Sequence, residues 1–137
     1  NKNVKIMKKI IIDLDGTLTV DAEGKYSEKL LNHEVIDACR MYKNKGFEII
    51  ISTSRNMRTY EGNIGKINIH TLPGIISWLE KHNVPYDEIH VGKPWCGFNG
   101  FYVDDKSIRP SEFVSLSYEE IMVLLAKENP YLDGDNK

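Results

Sequence analysis

Ile10-Ile11-Ile12-Asp13-Leu14-Asp15-Gly16-Thr17 is the stretch that decides how this chain is read. An apolar run leads straight into two carboxylates spaced one residue apart, and a glycine follows at once. Side chains alternate between the faces of an extended strand, so residues i and i+2 point the same way. Asp13 and Asp15 therefore converge where a buried strand stops, at the carboxyl end where open α/β sheets bind their ligands. Two like charges side by side in an interior are unfavourable unless a cation or a proton neutralises them. The pair must hold a hard metal ion or share work on a proton. Asp-Gly is also a common turn dipeptide, so the rest of the chain has to choose between chemistry and a plain turn.

Outward from this stretch, apolar runs and helical patterns alternate, the mark of a parallel sheet with helices on its faces. The first strand is read at Lys9 to Leu14, and Thr17 to Leu31 as a polar loop or small flap with a turn at Gly24. Asn32 caps a helix with Val35, Ile36, Cys39 and Tyr42 on one face, which Gly46 ends. Phe47 to Ser52 is a second strand, buried on both faces. Ser54 to His70 reads as a loop with one helical turn at most, because Gly62 and Gly65 interrupt any pattern. A helix over Leu72 to His82 turns Ile75, Ile76 and Leu79 to the core, with Pro73 in its first turn. Glu88 to Val91 and Gly100 to Val103 are the third and fourth strands. Ser117 and Glu120 form a capping box that opens a last helix. The expectation is an α/β fold of three layers, Rossmann-like, with a mainly parallel sheet. It is read as one domain with a core over about 8–128 and a polar, frayed tail at 129–137.

A chain of 137 residues suits one domain with a real core. A formal net charge of −2 offers no electrostatic attraction to nucleic acid or an anionic membrane, and neither is expected as a partner. No apolar run approaches the roughly 18 residues that span a bilayer, and the lysines near the N-terminus precede no signal-type apolar core. Cys39 and Cys96 fit no metal spacing and no disulfide framework, so reduced thiols in a cytoplasm are expected.

Four strand ends carry groups whose chemistry fits together: Asp13 with Asp15, Thr53, Lys93, and Asp104 with Asp105. In a parallel sheet these ends lie on one edge. Carboxylates bind Mg²⁺, which prefers oxygen ligands and keeps several waters. A hydroxyl and an ammonium hold phosphate oxygens, and positive charge offsets what builds up during phosphoryl transfer. One carboxylate can serve as nucleophile, and its neighbour as acid and base.

These motifs resemble the haloacid dehalogenase superfamily. The family has a strand-terminal D-x-D-G-T, here Asp13 to Thr17. A strand-terminal Thr follows, here Thr53 in Ile-Ile-Ile-Ser-Thr-Ser-Arg. Next comes a Lys, here in Gly92-Lys93-Pro94, and then an acidic pair after an apolar strand, here Tyr102-Val103-Asp104-Asp105. Four motifs in the family's order are far more specific than D-x-D-G-T alone. The resemblance implies Asp13 as nucleophile and metal ligand, and Asp15 as general acid/base with its carbonyl on the metal. It implies Thr53, Ser54 and Lys93 around the phosphoryl group, helped by backbone N–H groups near Leu14, Asp15 and Ser54. Asp104 would be a direct metal ligand, Asp105 and Thr17 would support, and Mg²⁺ would be the cofactor. Family dehalogenases lack the second Asp of the first motif, so Asp15 implies phosphate hydrolysis.

The run Ser52 to Asn63 with Gly92-Lys93-Pro94-Trp95-Cys96-Gly97 further resembles small bacterial members linked to capsular or surface-polysaccharide biosynthesis. That implies a small phosphorylated metabolite, such as a sugar phosphate, as substrate. Arg55, Arg58, Tyr60, Lys66 and Trp95 are read as a substrate-recognition surface. Neither cap insertion point has room for a separate cap domain, so the site is expected to be open unless short loops or a homo-oligomer cover it. Two other functions share these residue types. A phosphatase of a nucleic-acid end or phosphoprotein would want a basic stripe, which the chain lacks outside the scattered N-terminal lysines. A receiver-type signalling domain would place Lys-Pro after all its carboxylates, whereas Asp104-Asp105 follows Lys93 here.

Overall fold

The computed structural model describes residues 6–21 and 29–130. The chain forms two compact units, Asn1–Trp95 and Cys96–Lys137, and each is described by itself.

In the first unit, β1 (Lys9–Ile12), β4 (Glu48–Ser52) and β5 (Glu88–His90) form a parallel sheet in the order β1-β4-β5. Between β1 and β4 lie β2 (Thr19–Val20), β3 (Leu30–Leu31) and α1 (His33–Asn44). Between β4 and β5 lie α2 (Ile64–His70) and α3 (Leu72–Lys81). The isoleucine runs explain the sheet, since β-branched side chains suit a pleated surface. Register pairs Ile10 with Ile49 and Ile12 with Ile51. This sets an apolar row on one face, where Ile49 and Ile51 are fully buried. Both crossovers step the same way along the sheet, and right-handed connections then place their helices on the same face.

The helices form where the sequence caps them. Asn32 Oδ1 accepts from the Val35 N–H at 3.4 Å, and Val35, Ile36, Cys39 and Tyr42 are buried. Gly46, at φ 94°, closes α1 in the left-handed region that glycine tolerates. Arg40 donates from Nη2 to the carbonyls of His82 and Asn83 just past α3, tying the two helices together. In α3 the buried residues are Ile75, Trp78 and Leu79, while Ile76 is 38% exposed. The expectation that Ile76 faces the core is corrected: it sits one residue, or 100°, round from Ile75, whereas Trp78 lies at i+3 on the same stripe. Trp78 Nε1 donates to the Lys29 carbonyl at 3.1 Å.

Two further elements differ from the sequence reading. Residues 64–70 form a helix, not a loop, because Asn63 caps it by accepting from the Lys66 N–H at 3.1 Å. Within the stretch read as a polar loop or small flap, Thr19 pairs with Leu31 and Val20 with Leu30 in a short antiparallel pair, an addition to the reading. The turn expected at Gly24 and the frayed end after Pro130 lie outside the described residues.

The second unit contains α4 (Pro110–Ser115) and α5 (Tyr118–Ala126). The capping box on α5 is formed: Glu120 N–H donates to Ser117 Oγ, and Ser117 N–H donates to Glu120 Oε1. Helix α4 is an addition, opened by Pro110 and by Glu112 accepting from the Arg109 N–H at 2.8 Å. The fourth strand expected at Gly100 to Val103 is corrected: these residues are not in a strand, and Phe101 and Val103 are 80% and 86% exposed. A strand persists only when a neighbour takes up its N–H and C=O groups, and no described strand pairs with this run. Among the described residues no helix is long and apolar enough to cross a membrane.

Candidate active site at the carboxyl ends of three parallel strands

Because β1, β4 and β5 run parallel, their carboxyl ends share an edge, and Asp13, Thr53 and Lys93 follow them there. The ladder continues past β4 and β5. Thr53 N–H donates to the His90 carbonyl at 2.9 Å, and Lys93 N–H donates to the Thr53 carbonyl at 3.1 Å. Lys93 is thereby carried beside Thr53, and its Nζ lies 3.6 Å from Asp13 Oδ1.

The turn after β1 shows why the first motif has its form. The Leu14 carbonyl accepts the N–H groups of Thr17, Leu18 and Thr19 at 3.2, 2.9 and 3.1 Å, which folds the chain back on itself. Leu14 is fully buried between the two acidic positions and anchors them. Gly16 takes φ 81°, a left-handed conformation that would strain other residues, and its N–H donates to Thr19 Oγ1. Thr17 Oγ1 donates to Asp13 Oδ2 at 3.2 Å.

Asp15 is held differently from Asp13. Arg55 Nε donates to its Oδ2 at 2.9 Å and Nη2 to its Oδ1 at 2.7 Å, a two-point fork. The Arg55 side chain is only 4% exposed and that of Asp15 26%, so the pair is largely out of water. Lys29 Nζ stands 3.5 Å from Asp15 Oδ1. Thr53, itself buried, accepts the Arg55 N–H at 3.1 Å, so the residue at the end of β4 also sets where Arg55 begins. Ser54 is half-buried beside it, with its carbonyl accepting from Met57.

Of the residues read as a substrate surface, Arg55 lies against Asp15 instead of facing outward. Tyr60 stacks on His70 with ring centroids 5.6 Å apart. Arg58 and Lys66 are exposed, on the turn after β4 and on α2, and Trp95 is 38% exposed at the end of the first unit. Lys29 was missed in the sequence. It sits in a polar stretch, and its link to Trp78 is a long-range contact that no local pattern announces.

Asp104 and Asp105 belong to the second unit. Asp104 Oδ1 accepts the Lys106 N–H at 2.8 Å, and Asp105 Oδ2 accepts from Asn129. Both line a cleft of about 190 Å³ with Glu112 and Glu128. Among the described residues no three Asp, Glu, His or Cys side chains gather closely enough to hold a metal. Mg²⁺ asks for less, one or two carboxylates completed by water and phosphate oxygens, and the end of β1 fits it.

The chain matches the family model of the haloacid dehalogenase-like hydrolases over residues 10–132. A crystal structure of a structural-genomics target protein from Vibrio cholerae is 63% identical, with a TM-score of 0.88, covering 90% of this chain and 100% of that one. A chain of the Pnkp1/Rnl/Hen1 complex is 24% identical with a TM-score of 0.45, covering 80% of this chain and 34% of that one. No match was found among the curated proteins. With that family match running through the strand that carries Asp13 and Asp15 and onward past Asp105, the chain belongs to the haloacid dehalogenase-like hydrolases.

Proposed function

We propose that this hydrolase is a Mg²⁺-dependent phosphomonoesterase that works through an aspartyl-phosphate. The observation carrying the reading is the arrangement around Asp13: a carboxylate at the end of β1, partly exposed, with Lys93 Nζ at 3.6 Å and a second carboxylate two residues on. Asp13 attacks phosphorus through a carboxylate oxygen, and the bond from phosphorus to the leaving oxygen breaks. Asp15 supplies the proton that the leaving oxygen needs, so an alcohol departs and the phosphoryl group stays on Asp13. Asp15 then takes a proton from water as that water attacks phosphorus, which releases phosphate and restores Asp13. Lys93 and Thr53 hold the phosphoryl oxygens, with Ser54 beside them. Asp13 and the Asp15 carbonyl, at the end of β1, would hold Mg²⁺. Bound there, the ion would neutralise charge on the phosphoryl group as it moves.

The substrate is proposed to be a small phosphorylated metabolite of the sugar-phosphate type, used in capsular or surface-polysaccharide biosynthesis in the cytoplasm. The likeness of Ser52 to Asn63 and Gly92 to Gly97 to such enzymes supports this, as does the exposed position of Arg58, Lys66 and Trp95. A homo-oligomer is the proposed cover for the site. The test is hydrolysis of aryl phosphates with and without Mg²⁺. Activity should vanish on chelation, return with added Mg²⁺, and be lost in Asp13→Asn. Activity indifferent to both would overturn the mechanism. A screen of phosphorylated metabolites ranked by kcat/KM then tests the substrate class.

A further inference from the structure

The geometry points to Arg55 as a positioning residue for phosphoryl transfer, holding Asp15 at the angle from which it serves the leaving group. This rests on the phosphatase reading and deepens it. Asp15 follows the end of β1 in a turn, where more than one staggered rotamer is open to a short carboxylate side chain. Arg55 removes that freedom. Its planar fork meets both carboxylate oxygens at 2.9 and 2.7 Å, which fixes the plane of the group as well as its position.

Arg55 is itself held. Its backbone N–H is tied to Thr53 Oγ1, and its side chain is 4% exposed. The end of β4 therefore determines the aim of a group at the end of β1. Lys29, by contrast, meets Asp15 at one point, 3.5 Å from Oδ1, and cannot define a plane. Arg55 commits Nε and Nη2 to Asp15, which separates it from Arg58 and Lys66 on the exposed surface.

A positioning role has a signature that neither substrate binding nor fold maintenance shares. In the first step Asp13 forms a bond to phosphorus, the bond to the leaving oxygen breaks, and the Asp15 proton ends on that oxygen. A leaving group that departs readily as an anion does not need the proton. The experiment compares kcat/KM for phenyl phosphate and 2,4-dinitrophenyl phosphate in wild type, Arg55→Ala and Arg55→Lys, with circular dichroism and melting checked for each. Phenyl phosphate turnover should fall about 100-fold in Arg55→Ala, the usual scale for a misplaced catalytic group. The dinitrophenyl ester should lose about threefold or less, since it bypasses proton donation. Arg55→Lys, which keeps charge and most of the volume, should show the same ordering with smaller losses.

Equal losses on both esters, in whichever variant folds, would overturn the proposal, as would a rise in KM with kcat unchanged. Should wild type hydrolyse neither ester with Mg²⁺ present, the phosphatase reading fails and takes this one with it. Wild-type activity lost in Asp13→Asn, together with equal losses in the Arg55 variants, removes only the role of Arg55.

Discussion

Deleting the carboxylate of Asp15 should cost more stability than deleting the guanidinium it binds. The Arg55 side chain is 4% exposed and that of Asp15 is 26% exposed. Asp15→Ala removes the carboxylate that meets Nε and Nη2 of a guanidinium where water barely reaches. Breaking a fully buried pair in this way costs about 3–5 kcal/mol, and the partial exposure of Asp15 places the expectation at the lower end, about 3 kcal/mol. Arg55→Ala leaves a carboxylate that water can reach and that keeps Lys29 at 3.5 Å. Its cost, mostly lost packing of the side-chain stem, should be about 1–2 kcal/mol. Urea unfolding followed by fluorescence reports on the relevant unit, because both tryptophans, Trp78 and Trp95, lie in Asn1–Trp95. With an m-value of about 2 kcal/mol/M, Asp15→Ala should lower the midpoint by about 1.5 M. The double variant should cost less than the sum of the two, by about 1 kcal/mol or more, since the second change removes a group the first left stranded. Asp15→Ala within about 0.5 kcal/mol of wild type, or Arg55→Ala the worse of the two, would refute the claim that the buried guanidinium depends on Asp15.

Gly92→Ala should lower the melting temperature and the activity together, because Gly92 holds φ 83° and a Cβ there would meet Ile64 Cδ1 at 2.2 Å, one residue before Lys93; an unchanged melt would count against this. Burial pushes the Cys39 thiol up to about 12, so a thiol reagent at pH 8 should modify Cys96 alone in the native protein and both cysteines in denaturant. Native labelling of both would contradict the buried placement of Cys39. Hydrogen bonds from Lys43 Nζ and the Ile49 N–H hold the Asp87 carboxyl below the usual carboxylate range. A depressed folded value means that the unfolded state binds more protons, so the stabilisation is full above the unfolded value, about 3.9, and is lost as pH falls through the folded one. Asp87→Asn should therefore flatten the loss of stability below about pH 4, and an unchanged acid slope would rule Asp87 out as its source.

Local chemistry is what made so much of this chain legible. The Asn32 and Ser117 caps mark helix starts because a short side chain must lie next to the N–H groups it satisfies, and both are found as read. The isoleucine runs at 10–12 and 49–51 announce parallel strands, and those strands pair in register, although only the second is buried on both faces and Ile11 in the first is 67% exposed. The helix that Asn63 caps reads as a loop in the sequence because Gly62 and Gly65 interrupt its pattern. Arg55 was legible as a functional residue and not as the partner of Asp15. The two are 40 positions apart, and no local pattern says which of several nearby carboxylates a guanidinium will take.

By itself the sequence determined the class of fold, the three strands of the parallel sheet, helices α1, α3 and α5, and the residues that stand at the ends of those three strands. These follow from side-chain period, capping and turn chemistry, all of which act within a few residues. Only the tertiary structure decided that Lys93 faces Asp13 while Arg55 and Lys29 take Asp15, and that Trp78 displaces Ile76 from the core stripe. The physical reason is parallel pairing. It carries the ends of β1, β4 and β5 to one edge, where charge and burial select partners that sequence distance conceals.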